Sequence, residues 1–136
     1  MSYCSCGHSF ANNCAHRLST AIGLHLPVQE HHSSIGDHLA GIYKGLMNLK
    51  SSDTFHYYES DGILCCSSGK ILRANDMLNW YKNKGYTKHD KPNHNGDSVV
   101  FCKVGQSNHI YAIDKNGDIL EPSFRCNNET NIEYYY

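Results

Sequence analysis

The chain has little that would tie it to nucleic acid or to a membrane. Its 12 Lys and Arg nearly balance 13 Asp and Glu, for a net charge of −1. No basic stripe runs along any segment, so the electrostatic footprint of a nucleic-acid surface is missing. No apolar run approaches the roughly 18 residues of a membrane-spanning helix, which argues against membrane insertion. The opening residues, Met1-Ser2-Tyr3-Cys4-Ser5-Cys6-Gly7-His8, carry neither the basic nor the apolar stretch of a secretory leader. The expectation is a chain made in the cytoplasm that reaches any outside target by another route. Prolines are only 3, and no repeat or low-complexity tract marks a linker. A single domain over residues 1–136 is expected, long enough to bury a core without obligatory disulfides.

Cysteine, by contrast, is plentiful. Seven are present: Cys4, Cys6, Cys14, Cys65, Cys66, Cys102 and Cys126. An odd number leaves at least one thiol unpaired if the others form disulfides. Six structural sulfurs and one nucleophile would suit an oxidising destination. Seven reduced thiols acting as small hydrophobes is the other reading, and the sequence does not decide between them. The 10 His and 10 Tyr are read mainly as ordinary surface residues.

Hydrophobic spacing divides the chain into a helical first half and a strand-rich second half. From Cys14, the residues Ala15, Leu18, Ala21 and Ile22 follow helical spacing, with Asn12 or Asn13 as N-cap and Gly23 as stop. A second helix is predicted over 37–49, weakened by Gly41 and Gly45. Residues 54–66 read as a short strand or an aromatic loop. Residues 74–84 give the clearest later helix, closed by Gly85. Ser98–Val104 and His109–Ile113 read as strands. Lys115-Asn116-Gly117-Asp118 is a hairpin signal, with Ile119–Phe124 returning as a third strand. The fold class is therefore α+β, with N-terminal helices packed on a C-terminal antiparallel sheet.

Two residues stand out chemically. Cys14 opens the first helix, where free N–H groups and the helix dipole favour a thiolate. Those same N–H groups can bind an oxyanion. His109, at the start of a strand, can activate a thiol and protonate a leaving amine. A third group should orient the imidazole. Glu121 lies on the expected returning strand, whereas Asp114 and Asp118 flank the turn and read better as solvated carboxylates. Cys4, Cys6, His8, Cys14 and His16 form a weaker zinc candidate, because Cys-x-Cys lacks a well-spaced second pair. Asp114-Lys115-Asn116-Gly117-Asp118 has only a faint likeness to a calcium loop and reads better as a turn.

Gly96-Asp97-Ser98-Val99-Val100-Phe101, His109-Ile110-Tyr111-Ala112-Ile113 and Asn116-Gly117 together resemble the second half of NlpC-like cell-wall cysteine peptidases. That family carries a "GDLVFF" strand, a "HVGIYIG" strand and a turn before a third polar residue. Asn13-Cys14-Ala15, followed by Gly23-Leu24-His25-Leu26-Pro27, is similar to its "DCSG…G..LP". Asn12-x-Cys14-Ala15-x-Arg17-Leu18-Ser19 is closer still to the type VI secretion amidase effectors, notably their fourth family. The resemblance covers residues 11–27 and 95–122, with Asn108 in place of the family's glycine before the histidine. It implies a papain-like fold without a cofactor or catalytic metal, Cys14 as nucleophile and His109 as base and acid. The third catalytic position falls on Glu121, with Asp118 as fallback, and Tyr3 matches loosely a tyrosine lining the site. Also implied are cleavage of a peptidoglycan stem peptide between D-glutamate and meso-diaminopimelate, delivery into a rival's periplasm, and a cognate immunity protein. A papain-like toxin that cleaves or deamidates a host protein is the alternative with the same residues. A zinc-binding module without enzymatic activity is the remaining one.

Overall fold

The computed structural model describes residues 4–32, 38–50, 52–121, 123–127 and 131–136. Tyr3, the first position of the helix predicted over 37–49 and residue 122 of the strand predicted over 119–124 lie outside them. Ten elements follow in order: α1 (Cys14–Ala21), β1 (Gln29–His32), α2 (His38–Leu46), β2 (His56–Ser60), β3 (Ile63–Cys65), α3 (Ala74–Asn83), β4 (Lys88–His89), β5 (Ser98–Val104), β6 (Ser107–Ile113) and β7 (Glu133–Tyr135). The strands form two antiparallel sheets, β1-β2-β3 and β4-β7-β5-β6. The α+β class holds. Helices and strands alternate along the chain, however, rather than falling into a helical half and a strand half.

Helix α1 buries Cys14, Ala15 and Leu18 along one stripe, the spacing that lays one face of a helix on a core. Ser19 is polar on that stripe and fully buried. Its hydroxyl accepts the Ile71 N–H at 3.2 Å, so no polar atom is stranded there. The helix stops at Gly23, whose φ of +71° suits a residue without Cβ. Gly23 N–H then reaches Thr20 O and Leu24 N–H reaches Ser19 O at 2.9 Å, the paired bonds of a Schellman end. Helix α3 closes in the same way, with Tyr86 N–H on Tyr81 O at 3.2 Å.

Helices α1 and α3 pack on β6. There Cys14, Ala15, Leu18, Met77, Ile110 and Ala112 belong to one apolar core. Alternate residues of β5 and β6 face the opposite side, where Val100, Tyr111 and Ile113 form another core with Cys126 and Tyr134 at its margin. With both faces covered, Val99 and Val100 are equally buried, which explains why β5 reads as a continuous apolar run. Helix α2 packs elsewhere. Its Ala40 and Tyr43 join Phe10, Tyr57, Leu64 and Leu72 beside the first sheet.

Among the described residues of Ile119–Phe124 no strand forms; Ile119 makes an isolated bridge to Ile113, and Leu120 N–H donates to Ala112 O at 2.9 Å. The Glu121 carboxyl takes the Ala112 N–H at 3.1 Å, the donor a returning backbone would have used. On the other flank β7 pairs with β5 through Val99–Tyr135 and Val100–Tyr134. Residues 54–66 resolve into a β2–β3 hairpin whose two-residue turn, Asp61-Gly62, has φ of +49° and +84°, as a type I′ turn requires. The second helix ends at Leu46 rather than 49.

Candidate active site

Cys14 is the first residue of α1. Asn13 occupies the N-cap position, but its side chain makes no capping bond, so no side chain of the cap shields the first N–H groups. The thiol is 6% exposed. It donates to Asn12 Oδ1 at 3.4 Å and to Asn108 O at 3.8 Å. Burial pushes its pKa up, against the opposing pull of the Ile110, Ala15 and Cys14 N–H groups and the Arg17 charge. Burial wins, so the resting form is the neutral thiol.

His109 lies within β6, opposite Cys102. Its Nε2 lies 2.8 Å from Phe124 O and 3.1 Å from Ser123 Oγ. The ring stacks flat on Phe124, with centroids 3.9 Å apart and planes 4° apart. A carbonyl oxygen only accepts, so Nε2 carries the proton and Nδ1 holds the basic lone pair. Burial lowers the imidazole pKa, and the Arg17 charge acts in the same direction. His109 is therefore a neutral base at pH 7.

The thiol and the imidazole meet the same stretch of β6. Cys14 touches the carbonyl of Asn108 and is influenced by the N–H of Ile110, the residues on either side of His109. Arg17 acts on both. Among the described residues, however, no hydrogen bond joins Sγ to the ring. Ile110 shares the core of Cys14, while the His109 ring contacts Tyr111 and Phe124. Successive strand side chains point to opposite faces, and that alternation separates the pair here.

Glu121, expected to orient His109, makes no hydrogen bond to it among the described residues. Its Oε1 is held by Ala112 N–H, and its Oε2 is buried with no partner. Burial drives its carboxyl up to about 7. Phe124 O and Ser123 Oγ hold His109 instead. Asp118, the fallback, is exposed. Asp114 Oδ1 accepts the N–H groups of Asn116 and Asp118 at 2.8 and 3.0 Å, so both aspartates belong to the turn. The Cys102–Cys126 disulfide anchors the segment carrying Ser123 and Phe124. The other five cysteines are thiols, so the sulfurs do not divide into six paired and one unpaired.

A cleft of about 420 Å³ is lined by Asn12 and Asn108, by Leu46 and Leu72, and by Arg73, Ala74, Asn75 and Asp76 at the α3 entrance; Cys14 and His109 are not among its lining residues. Asn108 Nδ2 donates to Asn75 Oδ1 at 3.0 Å, and Asn12 Nδ2 to Asn108 O at 3.5 Å. Two of the lining residues are thus the hydrogen-bond partners of Cys14. Side-chain amides of this kind can donate to and accept from a peptide backbone. Asn108 and Asn75 carry no motif signal in the sequence.

The zinc candidate is sorted differently from the sequence expectation. Cys4, Cys6, His16 and Cys66 bring their donor atoms within 4.8 Å of one another, whereas His8 and Cys14 are not in the group. Glu30, His32 and His56 form a second, fully exposed trio. Comparison with protein-family models, with curated proteins and with solved structures returns no match.

Proposed function

We propose that the chain is a thiol-dependent amidase, and that its substrate is the peptide stem of peptidoglycan. The observation that carries the reading is the position of Cys14. It is the first residue of a helix packed on β6, its thiol touches the residue before His109, and its two hydrogen-bond partners, Asn12 and Asn108, line a cleft. The likeness of residues 11–27 and 95–122 to NlpC-like peptidases, and to type VI secretion amidase effectors within them, supplies the substrate. It also supplies the bond, between D-glutamate and meso-diaminopimelate, and a papain-like character for the α+β fold.

In this mechanism the stem peptide lies along Asn12, Asn75 and Asn108. His109 Nδ1 removes the thiol proton as Sγ attacks the amide carbonyl, which requires a rearrangement of β6 that carries the imidazole from the Tyr111 and Phe124 face to the Cys14 face. The uncapped N–H groups of α1 stabilise the oxyanion. His109 then gives its proton to the leaving amine, and a water activated by the same nitrogen hydrolyses the thioester. In the resting protein Phe124 O and Ser123 Oγ hold Nε2 protonated. The protein acts in a target cell's periplasm after export, and an immunity protein that plugs the cleft protects the producer.

Expression in a Gram-negative host with and without a periplasmic leader tests this reading. Lysis should follow periplasmic delivery only and should vanish in Cys14→Ala. Toxicity confined to the cytoplasm would replace the wall with a host protein as substrate. Equal toxicity of Cys14→Ala would remove the thiol mechanism.

A further inference from the structure

We infer that Cys4, Cys6, His16 and Cys66 form a zinc site that pins the N-terminal segment to the loop after β3 and braces α1. The four donor atoms all lie within 4.8 Å of one another. Cys4 Sγ and Cys66 Sγ are 3.6 Å apart, and Cys6 Sγ lies 3.5 Å from His16 Nε2. Tetrahedral zinc with bonds of about 2.3 Å to sulfur and about 2.0–2.1 Å to nitrogen gives edges of roughly 3.8 Å between sulfurs and 3.6 Å between sulfur and nitrogen. Both measured edges fit. Three thiolates and one imidazole are also a common structural zinc set.

The backbone around the sulfurs supports the same conclusion. Cys4-Ser5-Cys6-Gly7 and Cys66-Ser67-Ser68-Gly69 are two copies of one turn. In each, the glycine N–H returns to the first cysteine's carbonyl, at 3.3 and 3.0 Å. Each glycine has positive φ, +73° and +79°. In each, the N–H two residues on from the first cysteine points at its sulfur: Cys6 N to Cys4 Sγ at 3.5 Å and Ser68 N to Cys66 Sγ at 3.4 Å. Such N–H donors stabilise a metal-bound thiolate and fix its direction. Ser5 Oγ and Ser68 Oγ, 2.6 Å apart, tie the two turns together. Cys66 is therefore the second half of the site that the spacing near the N-terminus seemed to lack. His16 completes the set from the third position of α1, its ring held edge-on by Phe10 at 4.9 Å.

The role of the metal follows from where its ligands sit. Residues 4–10 contain no helix or strand, and a short segment of that kind is poorly held by packing alone. A metal bridging it to the loop after β3 and to α1 fixes the helix two residues from Cys14. Ligation constrains the chain in the folded state and not in the unfolded one, so binding free energy becomes folding free energy.

The test uses the full chain, metal-free, with the Cys102–Cys126 disulfide intact and the other five cysteines as thiols, titrated with Zn²⁺ alone and, in parallel, with Co²⁺ as a spectroscopic probe. One Zn²⁺ per chain is expected. The Co²⁺ form should show thiolate charge-transfer bands and the intense visible bands of a tetrahedral site, saturating at one equivalent and bleached by Zn²⁺. Cys66→Ala should lose saturation at one equivalent, while Cys14→Ala and Cys65→Ala keep it. The wild-type titration stands even if a variant fails to fold. Absence of stoichiometric metal in folded wild type with those five thiols reduced would overturn the assignment. So would full binding by Cys66→Ala, or a Cys4–Cys66 disulfide in protein prepared with zinc present.

Discussion

Glu121 sets a pH dependence of stability that a single substitution should remove. Its carboxyl is 5% exposed, with Oε1 bonded to Ala112 N–H and Oε2 buried without a partner. An ionised carboxylate there loses its hydration and gains one hydrogen bond. Desolvation therefore dominates and raises the folded-state pKa from 4.5 to about 7. Between those values the folded protein holds a proton that the unfolded chain has released. Stability from this group is fully present below about pH 4.5 and is lost as pH rises through about 7. At about 1.4 kcal/mol for each tenfold change in proton affinity, the loss is about 3 kcal/mol as an upper bound.

Urea unfolding of wild type and Glu121→Gln at pH 4.5, 6 and 8.5 measures this directly. Glutamine keeps an oxygen for Ala112 N–H but does not ionise. Its own buried amide hydrogens shift both ends of the curve equally, and the histidines cancel in the difference between the two proteins. Relative to wild type, Glu121→Gln should gain about 2–3 kcal/mol from pH 4.5 to pH 8.5. A gain under about 0.5 kcal/mol would mean that Oε2 is solvated in solution and that the carboxyl ionises normally.

Three further outcomes follow from the site. Replacing Cys102 and Cys126 together with Ser opens a loop of sequence separation 24 and should cost about 3 kcal/mol in urea unfolding. Under the amidase reading it should also lower kcat more than it raises KM, because Ser123 and Phe124 lose their anchor. Gly69→Ala should destabilise the protein by about 2 kcal/mol or more, since φ is +79° and an added Cβ would run into the Leu26 carbonyl; calorimetry reads this as a lower Tm. Finally, burial raises the Cys14 thiol pKa, so iodoacetamide should label Cys14 at pH 7 more slowly than free cysteine, with the rate climbing as pH rises. Labelling faster than free cysteine would mean a resting thiolate.

The parts of the fold legible in the sequence are those whose signals are local. Helix α1 announces itself through Cys14, Ala15, Leu18 and Gly23, α3 through its apolar spacing and Gly85, and the β5–β6 pair through its β-branched and aromatic residues. Strand β1 carries no such signal. Gln29–His32 is a polar edge strand with no alternation of apolar residues, and its cross-strand contacts include His31 with Glu59 at 3.0 Å and Glu30 with His56 at 3.1 Å. Strand β7 is three residues whose partner β5 lies about thirty positions earlier in the chain, a pairing that no window of sequence contains. The reading of 54–66 as a short strand or an aromatic loop misses the β2–β3 turn at Asp61-Gly62, because Glu59-Ser60 before it are polar and hide the strand that leads in.

At the site, Cys14 and His109 stand out by residue type and position, but the groups that hold the imidazole do not. One of them is the backbone carbonyl of Phe124, and a carbonyl has no residue identity to read. Glu121 sat where a strand would have placed an orienting group. Its Oε1 instead takes the Ala112 N–H, a donor that a returning backbone would use. The cysteines divide by three-dimensional proximity alone, with Cys66 brought to Cys4 from 62 residues away.

Digestion of purified peptidoglycan by wild type, Cys14→Ala and His109→Ala, with products identified by mass spectrometry, tests the central claim most directly. The account predicts fragments from wild type alone, each ending at D-glutamate or beginning at meso-diaminopimelate. Fragments released equally by Cys14→Ala, or none from wild type, would contradict it.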